Sequence, residues 1–242
     1  MTMKKSRKSL DLGNSVESPS SVCKFCSRAF RSEKTLAAHV CEKKRRNMMK
    51  DEKYVQMGFR AFQRFYEMTD QSTKQKTWED FVKNKFYISF TKFGKFCYDM
   101  QVVMFAEYTD FVIKNGLKIE AWIRDETYEI YINDYQRRES IDVALERSIK
   151  FMELWAEKYK HSCEDFFRKC DRGLLTYWLK TGRISPWILL NCDSGIGCLN
   201  DLSDEQMSII SSQIDPSFWS RRLSSNETDC KSVKPILKQA GL

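Results

Sequence analysis

The stretch Cys23–Cys41, which reads CKFCSRAFRSEKTLAAHVC, decides how the amino-terminal part of the chain folds. Its cysteines and histidine follow the pattern C-x2-C-x12-H-x-C, and Phe30 and Leu36 lie where a small ββα zinc finger has its two core residues. A module this short cannot fold on apolar burial alone, so four ligands around one Zn²⁺ ion must supply its stability. The pattern predicts a zinc finger with a basic extension over residues 21–46. The predicted zinc ligands are Cys23, Cys26, His39 and Cys41.

The position of the fourth ligand departs from the usual finger. A standard finger leaves three to five residues after the histidine, which here leads to Lys43, Lys44 or Arg45. None of these side chains binds zinc, so Cys41 is the nearby candidate. Residues two apart on an α-helix point to nearly opposite faces, so we expect the helix to end or loosen between His39 and Cys41. The alternative is a short amphipathic helix whose thiols bind nothing.

The finger has short side chains at its base-reading positions. Alignment of Phe30 and His39 with the ββα template places Ser32, Thr35 and Ala38 at those positions. None of the three can make the bidentate contact of an arginine with guanine. The finger is therefore predicted to recognise base sequence poorly. It is expected to bind the phosphates of nucleic acid or to bind a protein.

Positive charge is concentrated at the amino-terminal end. The chain carries a net charge of +8; residues 1–50 hold 13 Lys and Arg against 4 Asp and Glu, and the remainder holds 28 against 29. Such a local excess of positive charge favours binding to polyanions, and binding of this kind weakens steeply as the salt concentration rises. The charge distribution therefore indicates nucleic acid as a partner. Two alternative explanations of the positive charge are a solubilising tail and a nuclear localisation signal at 43–46. The predicted nucleic-acid contacts are Arg28, Arg31, Lys34, Lys43, Lys44, Arg45 and Arg46.

The remainder of the chain has the periodicity of amphipathic helices. Apolar residues recur at three- and four-residue steps over 55–66, and a longer stripe over 93–111 predicts one helix that ends at Asn115-Gly116. Aromatic and β-branched residues over 122–131 leave helix and strand both open. Strand signals are otherwise sparse, and only nine Gly and four Pro interrupt the chain. The predicted fold class is all-α.

The composition divides the chain into a tail, a small module and a body. Residues 1–20 are basic and then rich in Ser and Pro, and they are predicted to form a disordered tail. The finger and its extension follow at 21–46. We place one helical lobe at 47–138 and a second at 139–242, and we interpret the Met and aromatic stripes of this multi-helix body as core.

The sequence has no constellation that supports catalysis. Of the two histidines, His39 belongs to the finger and His161 lies in a polar stretch without a partner. No P-loop is present, and the carboxylates Asp125, Glu126 and Glu129 are typical of a solvated helix start. We therefore predict no catalytic residues, no small-molecule substrate and a non-enzymatic protein.

The sequence predicts a cytoplasmic protein. No apolar run approaches the length of a membrane span, and the amino terminus lacks the apolar stretch of a signal peptide. Nine cysteines without a secretory signal indicate a reducing compartment. We therefore predict no membrane partner.

Two short motifs in the body resemble helicase-loading accessory proteins of large tailed bacteriophages. The apolar helix through Met100–Asn115 is followed by Trp122-Ile123-Arg124-Asp125, which is similar to that family's W-I-x-D. Over Leu174–Leu190, Ile184-Ser185 precedes an apolar segment, which is similar to the family's I-S motif. The resemblance covers about residues 80–200 and implies an all-α body that bridges forked DNA, single-strand-binding protein and a replicative helicase. The amino-terminal finger is an addition to that family's layout.

The leading functional hypothesis is therefore recruitment without chemistry. A nucleic-acid-binding accessory protein of phage DNA replication would hold forked or single-stranded DNA with weak sequence preference, and would load a helicase in the host bacterial cytoplasm. The alternative is a zinc-finger adaptor that binds the transcription machinery of the host or the phage. A third hypothesis, a Mg²⁺-dependent nuclease at Asp125 or Glu126, predicts cleavage that we do not expect.

Overall fold

The computed structural model describes residues 21–70 and 74–240, so the predicted tail at 1–20 lies outside the described residues. The chain divides into two compact units, with the boundary between Glu52 and Lys53. Among the described residues there are fifteen α-helices and one two-stranded sheet, which confirms the predicted all-α class. None of these helices is long and apolar enough to cross a membrane.

Unit 1, residues 21–52, holds the small sheet and two short helices. Its elements are β1 (Ser21–Val22), β2 (Ala29–Phe30), α1 (Glu33–Ala38) and α2 (Glu42–Met48). Unit 2, from residue 53 onward, is helical. Its elements are α3 (Lys53–Thr69), α4 (Trp78–Lys83), α5 (Tyr87–Met100), α6 (Phe105–Lys114), α7 (Asp125–Arg138), α8 (Ile141–Tyr159), α9 (Phe166–Lys169), α10 (Arg172–Lys180), α11 (Pro186–Leu189), α12 (Asp193–Leu199), α13 (Asp204–Ile210), α14 (Pro216–Ser225) and α15 (Glu227–Gln239), with 3₁₀ turns at Ile119–Ala121 and Cys163–Asp165.

Helices α3 and α5 pack backbone to backbone at two glycines. A Cβ atom added to Gly58 would lie 2.6 Å from the Phe90 carbonyl oxygen, and one added to Gly94 would overlap the Tyr54 carbonyl oxygen. Both glycines are buried in helices that are otherwise amphipathic, with Val55 and Phe62 on the same buried face of α3. The absence of two side chains therefore sets how closely the helices approach.

Aromatic rings fill the space around the α3–α5 pair. The ring of Phe62 lies 5.1 Å from that of Phe81 on α4, and the ring of Phe93 lies 5.1 Å from that of Trp122. Trp122 is fully buried, and its indole N–H donates to the Leu117 carbonyl at 2.9 Å. The interpretation of the stripes as core is confirmed for Phe62 and Phe93, which are buried, whereas Met104 of the second stripe is 44% exposed.

A second hydrophobic cluster is drawn from residues 145–237. Its largest members include Trp155, Phe166 and Trp178. Hydrogen bonds also join the two halves of unit 2: the Tyr128 hydroxyl donates to the Thr181 carbonyl at 2.9 Å. Residues on the two sides of the predicted boundary at 138/139 are therefore in contact, and the division of the body into lobes at 47–138 and 139–242 stays a prediction.

The prediction of a single helix over 93–111 is wrong, because the chain breaks between α5 and α6. Gln101 and Met104 both have left-handed φ values of 50°. The Tyr128 hydroxyl accepts from the Val103 N–H at 3.1 Å, and the Tyr131 hydroxyl donates to the Val103 carbonyl at 3.1 Å. Buried tyrosines thus satisfy backbone groups that the break releases. Because these tyrosines lie 25 and 28 residues from Val103 in sequence, the apolar periodicity of the segment does not reveal the break.

The stretch over 122–131, left open between helix and strand, is helical from Asp125 onward.

Helix α7 leads into a buried polar junction at its carboxyl end. The Glu139 carboxylate, whose side chain is fully buried, accepts from Arg147 of α8 at 2.6 and 3.0 Å and from the Ser185 hydroxyl at 2.8 Å. The Arg147 Nε donates to the Gly182 carbonyl at 2.9 Å. This junction fixes α8 against the segments that precede α11.

The α3–α5 contact has a direct test in glycine-to-alanine substitutions. We expect Gly58→Ala and Gly94→Ala each to lower the free energy of unfolding by about 1–3 kcal/mol or more, because a methyl group must push the helices apart. Gly197→Ala is the matched control, because Gly197 lies in α12 with nothing within 4 Å of its added Cβ. Alanine there should stabilise the protein by about 0.5–1 kcal/mol through helix propensity. Urea unfolding followed by circular dichroism measures all three, and equal effects would contradict the close packing.

Candidate metal centre

A β-hairpin positions the first two predicted ligands. Strands β1 and β2 pair antiparallel. In the turn between them the Cys23 N–H donates to the Arg28 carbonyl at 2.9 Å, and the Ser27 N–H donates to the Cys23 carbonyl at 2.8 Å. Ser27 has a left-handed φ of 60°. This tight turn brings Cys23 and Cys26 to one side of the hairpin.

The helix ends between the other two predicted ligands, as their spacing requires. Helix α1 begins after Ser32, whose hydroxyl accepts from the Thr35 N–H at 3.3 Å, and it ends at Ala38. His39 is its C-cap with an extended backbone (φ −73°, ψ 121°), and Cys41 is the N-cap of α2. Two separate helices therefore present His39 and Cys41 to the same point.

The four side chains converge with spacings that suit one metal ion. Their ligand atoms all lie within 4.8 Å of one another. The Cys23 and Cys41 Sγ atoms are 4.0 Å apart, and the Cys26 Sγ lies 3.3 Å from the His39 Nε2. Tetrahedral coordination with metal–sulfur bonds of about 2.3 Å and metal–nitrogen bonds of about 2.0 Å separates such ligands by about 3.6–3.8 Å. The arrangement can hold a metal ion with little movement.

Packing beneath the ligands uses the two predicted core residues. The Phe30 ring lies 4.6 Å from the His39 ring. Leu36 and His39 border a pocket of about 230 Å³ that Cys23 also lines. Cys23 itself is only 3% exposed. The contact with the Phe30 ring therefore orients the imidazole, and burial shields the Cys23 sulfur from solvent.

The thiols influence one another's ionisation. Burial disfavours the Cys23 thiolate, but hydrogen bonds from the backbone at Cys26 and Phe25 and from the Cys26 and Cys41 thiols lower the pKa of Cys23 to about 7. At Cys26, the backbone at Arg28 favours the thiolate, but burial and the two neighbouring thiols raise its pKa overall. One negative charge is thus accommodated readily and a second is opposed. A cation at the centre would remove that opposition.

Lys44 makes hydrogen bonds to two of the predicted ligand residues, Cys41 and His39. Its N–H donates to the Cys41 Sγ at 3.4 Å, and its Nζ donates to the His39 carbonyl at 3.0 Å. Groups that hold ligands in place from outside the coordination sphere commonly tune metal affinity. The sequence analysis assigned Lys44 to phosphate binding and gave no signal for this contact, which depends on the turn between α1 and α2.

The four consecutive basic residues 43–46 point around α2 in different directions, since successive helical residues are rotated by about 100°. Glu42 lies 2.5 Å from Arg45 and 3.0 Å from Arg46, and these ion pairs lower the pKa of its carboxyl group. Lys43 is exposed. The basic extension therefore presents a smaller cationic surface than its sequence suggests.

The remaining predicted phosphate contacts lie on the finger surface. Arg28, Arg31 and Lys34 are exposed, and the Arg28 guanidinium lies 5.6 Å from the centre of the Phe30 ring. Their assignment to nucleic acid, like that of residues 43–46, stays a prediction.

The base-reading positions are exposed but locally hydrogen bonded. The Thr35 hydroxyl donates to the Ser32 carbonyl at 2.8 Å and lies 3.1 Å from the Ser32 hydroxyl. Ala38 offers only a methyl group. These side chains cap and close α1, which agrees with a finger that has little capacity to read bases.

The body adds no second centre of this kind among the described residues, since no other group of three or more His, Cys, Asp or Glu brings ligand atoms together. Asp125 and Glu126 lie in the first turn of α7, and Glu129 pairs with Lys180 at 2.6 Å. His161 is exposed and lies against Trp155. These residues occupy ordinary helix-start, ion-pair and surface positions.

The motifs that resemble helicase loaders are partly core residues. Trp122 and Trp187 are each 1% exposed, and Ile184 is fully buried. Their apolar character therefore follows from packing in this structure. Comparisons of the chain with protein-family models, curated proteins and solved structures find no match.

The metal centre has a direct test in Cys26→Ser. We expect the wild-type chain to bind about one metal equivalent and the variant to lose it, because a serine hydroxyl is a much weaker ligand than a thiolate. Unit 1 should unfold, while the helical signal of unit 2 stays unchanged because the boundary lies at Glu52–Lys53.

Elemental analysis and circular dichroism of the purified protein measure both effects. Cys163→Ser is the matched control, because Cys163 lies in unit 2 outside the cluster, and it should retain the metal. Loss of helix throughout the chain in Cys26→Ser would contradict the division into two units.

Proposed function

We propose that this protein is a non-enzymatic accessory protein whose zinc-bound finger holds nucleic acid by its phosphates while the helical body contacts a protein partner. The observation that carries the proposal is the convergence of Cys23, Cys26, His39 and Cys41 beside a basic helix that begins at Glu42. The metal orders the finger, and Cys41 serves both as ligand and as N-cap of α2. Metal binding therefore fixes the start of the segment that carries residues 43–46.

Zinc is the ion that best fits the donor set. Three thiols and one imidazole in a closed, tetrahedral arrangement are typical of structural zinc sites, and harder ions such as Mg²⁺ prefer oxygen ligands. Four protein ligands leave no open coordination position for a substrate or an activated water. The zinc would therefore stabilise the fold of unit 1 and take no part in a reaction.

Phosphate recognition without base reading follows from the finger's surface. Lys43 and Lys34 are exposed cations, whereas Ser32, Thr35 and Ala38 have no long polar groups for a groove. Electrostatic contacts of this kind bind DNA or RNA with little sequence preference and weaken steeply with salt. Branched or single-stranded DNA at a replication fork is the substrate that we favour, with a replicative helicase or single-strand-binding protein as the partner of the body.

Recruitment would then work by effective concentration. The finger would keep the body close to the nucleic acid, so a partner held by the body would meet its substrate at a much higher local concentration. Helicase loading in phage replication is the specific form of this role that the motif resemblance in the body suggests.

A protein-binding adaptor is the second candidate, and exposed apolar residues on unit 1 favour it. Val22, Val40 and Met48 are 53%, 61% and 71% exposed. Apolar side chains next to cations suit an acidic protein surface as well as they suit DNA. In this version the finger would bind the transcription machinery directly.

Affinity for forked, duplex and single-stranded DNA across a salt series tests the proposal. We expect the full chain to prefer the fork and to lose affinity with a slope of several released counterions, because phosphate contacts dominate. Equal and weak binding to all three DNA forms would contradict the proposed nucleic-acid role. A host-lysate partner that survives nuclease treatment would then support the adaptor.

Two substitutions on α2 separate phosphate contact from structural support. We expect Lys43→Ala to weaken DNA binding by about fivefold to tenfold at 0.1 M salt and to reduce the salt slope by about one. Glu42→Gln should strengthen binding, because it removes the carboxylate that pairs with Arg45 and Arg46.

Fluorescence anisotropy with labelled DNA measures both changes, and metal content checks that the finger stays intact. Glu153→Gln is the control, because Glu153 is exposed on α8 in unit 2 and should leave DNA binding unchanged. If Lys43→Ala and Glu42→Gln behave like this control, α2 is not a phosphate-binding surface.

A further inference from the structure

An open groove of about 430 Å³ lies on unit 2 between α8 and the break that separates α5 from α6. One wall is the segment Gln101–Met104, and the other is the outward face of α8 from Val143 to Leu154. The eleven-residue rise between Val143 and Leu154 gives the groove a length of about 17 Å, since each helical residue advances about 1.5 Å. Three turns of a helix have this length.

The groove carries apolar side chains that nothing among the described residues covers. Met104, Val143 and Leu154 are 44%, 38% and 58% exposed. Phe151 contributes a partly buried ring at the same site, where it packs against Trp178. Helix α8 already buries its opposite face, with Leu145, Met152 and other residues, in the hydrophobic cluster of unit 2. An apolar stripe on the outer face as well is typical of a second packing surface.

The backbone of the Gln101–Met104 wall is held in an uncommon conformation. Both end residues have a left-handed φ of 50°, which non-glycine residues adopt rarely and at some energetic cost. Met104 is 44% exposed at the groove, and the Tyr128 and Tyr131 hydroxyls hold the backbone N–H and carbonyl of Val103 beside it. The fold therefore maintains a strained segment whose outward residue lines the apolar surface.

The charges around the groove are mainly positive. Lys150 makes no ion pair with any described residue, and Arg183 donates to the Met100 carbonyl at 2.9 Å without a carboxylate partner among them. Glu146 is the one carboxylate in the lining, and the charge of Arg147 is already balanced by Glu139. Cations flanking an apolar floor complement an apolar ligand with acidic flanks.

We propose that this groove docks an acidic amphipathic helix of a partner protein. An occupant about three turns long would place its apolar stripe on Met104, Phe151 and Leu154 and its carboxylates beside Lys150 and Arg183, in the helix-in-groove mode. The chain's own residues 1–20 suit the groove less well, because they carry four Lys and Arg against two Asp and Glu. The inference rests on the proposed function only in giving the body a protein partner.

A peptide library tests the docking surface and needs no identified partner. Random 16-residue peptides are displayed, selected on the full chain and counter-selected on Leu154→Glu. We expect the enriched peptides to be net acidic with apolar residues at helical spacing. Labelled versions should bind Leu154→Glu and Lys150→Glu about tenfold more weakly or worse, because central contacts dominate such interfaces. A peptide with Lys in place of Glu should regain affinity for Lys150→Glu.

Ile130→Glu is the matched control, because Ile130 is 64% exposed on α7, outside the groove lining, and its substitution should leave peptide affinity unchanged. The proposal would be overturned if no peptide is enriched, if the enriched peptides are net basic, or if they bind Leu154→Glu as tightly as the wild-type chain. Competition by a synthetic peptide of residues 1–20, or self-association in sedimentation that Leu154→Glu abolishes, would also overturn it. DNA binding by the same variants should be unchanged, so a failure of the nucleic-acid role is visible separately.

Discussion

The close approach of α3 and α5 is the constraint on which the arrangement of the body depends. Gly58 and Gly94 let the two backbones meet where any side chain would force them apart. The aromatic rings of Phe62, Phe93 and Trp122 then pack around a helix pair whose separation is already set. A wider pair would leave those large, rigid rings without partners, because dense interiors transmit small displacements over many contacts.

Unit 1 meets the problem of stability in a different way. Its two-residue strands and two short helices bury few apolar groups, with Cys23 and Ser21 as its buried residues. The crowding of three thiols around one imidazole is unfavourable for a second thiolate, and a bound cation turns that crowding into attraction. The chain thus combines a small unit built around a Cys/His cluster that could hold a metal ion with a larger unit that is packed around buried aromatic side chains.

The same short segment links the Cys/His cluster to the basic helix α2. Cys41 caps α2, Lys44 returns to the His39 carbonyl, and Glu42 pairs with Arg45 and Arg46. A run of four basic residues therefore divides into groups that support the fold and groups that face solvent. The unit 2 groove shows a comparable division, in which Arg147 belongs to a buried junction while Lys150 faces the solvent.

The sequence alone determined the features that depend on local spacing. The ligand pattern through His39 and Cys41, the end of the helix between them and the all-α class all follow from short-range geometry. The break at residues 101–104, the backbone contact at Gly58 and the hydrogen bond from Lys44 to the His39 carbonyl become visible in the three-dimensional fold alone. Each of these depends on groups that are distant in sequence or on a turn whose shape other contacts set. Periodicity reports which face of a helix is apolar, but it does not report which partner that face meets.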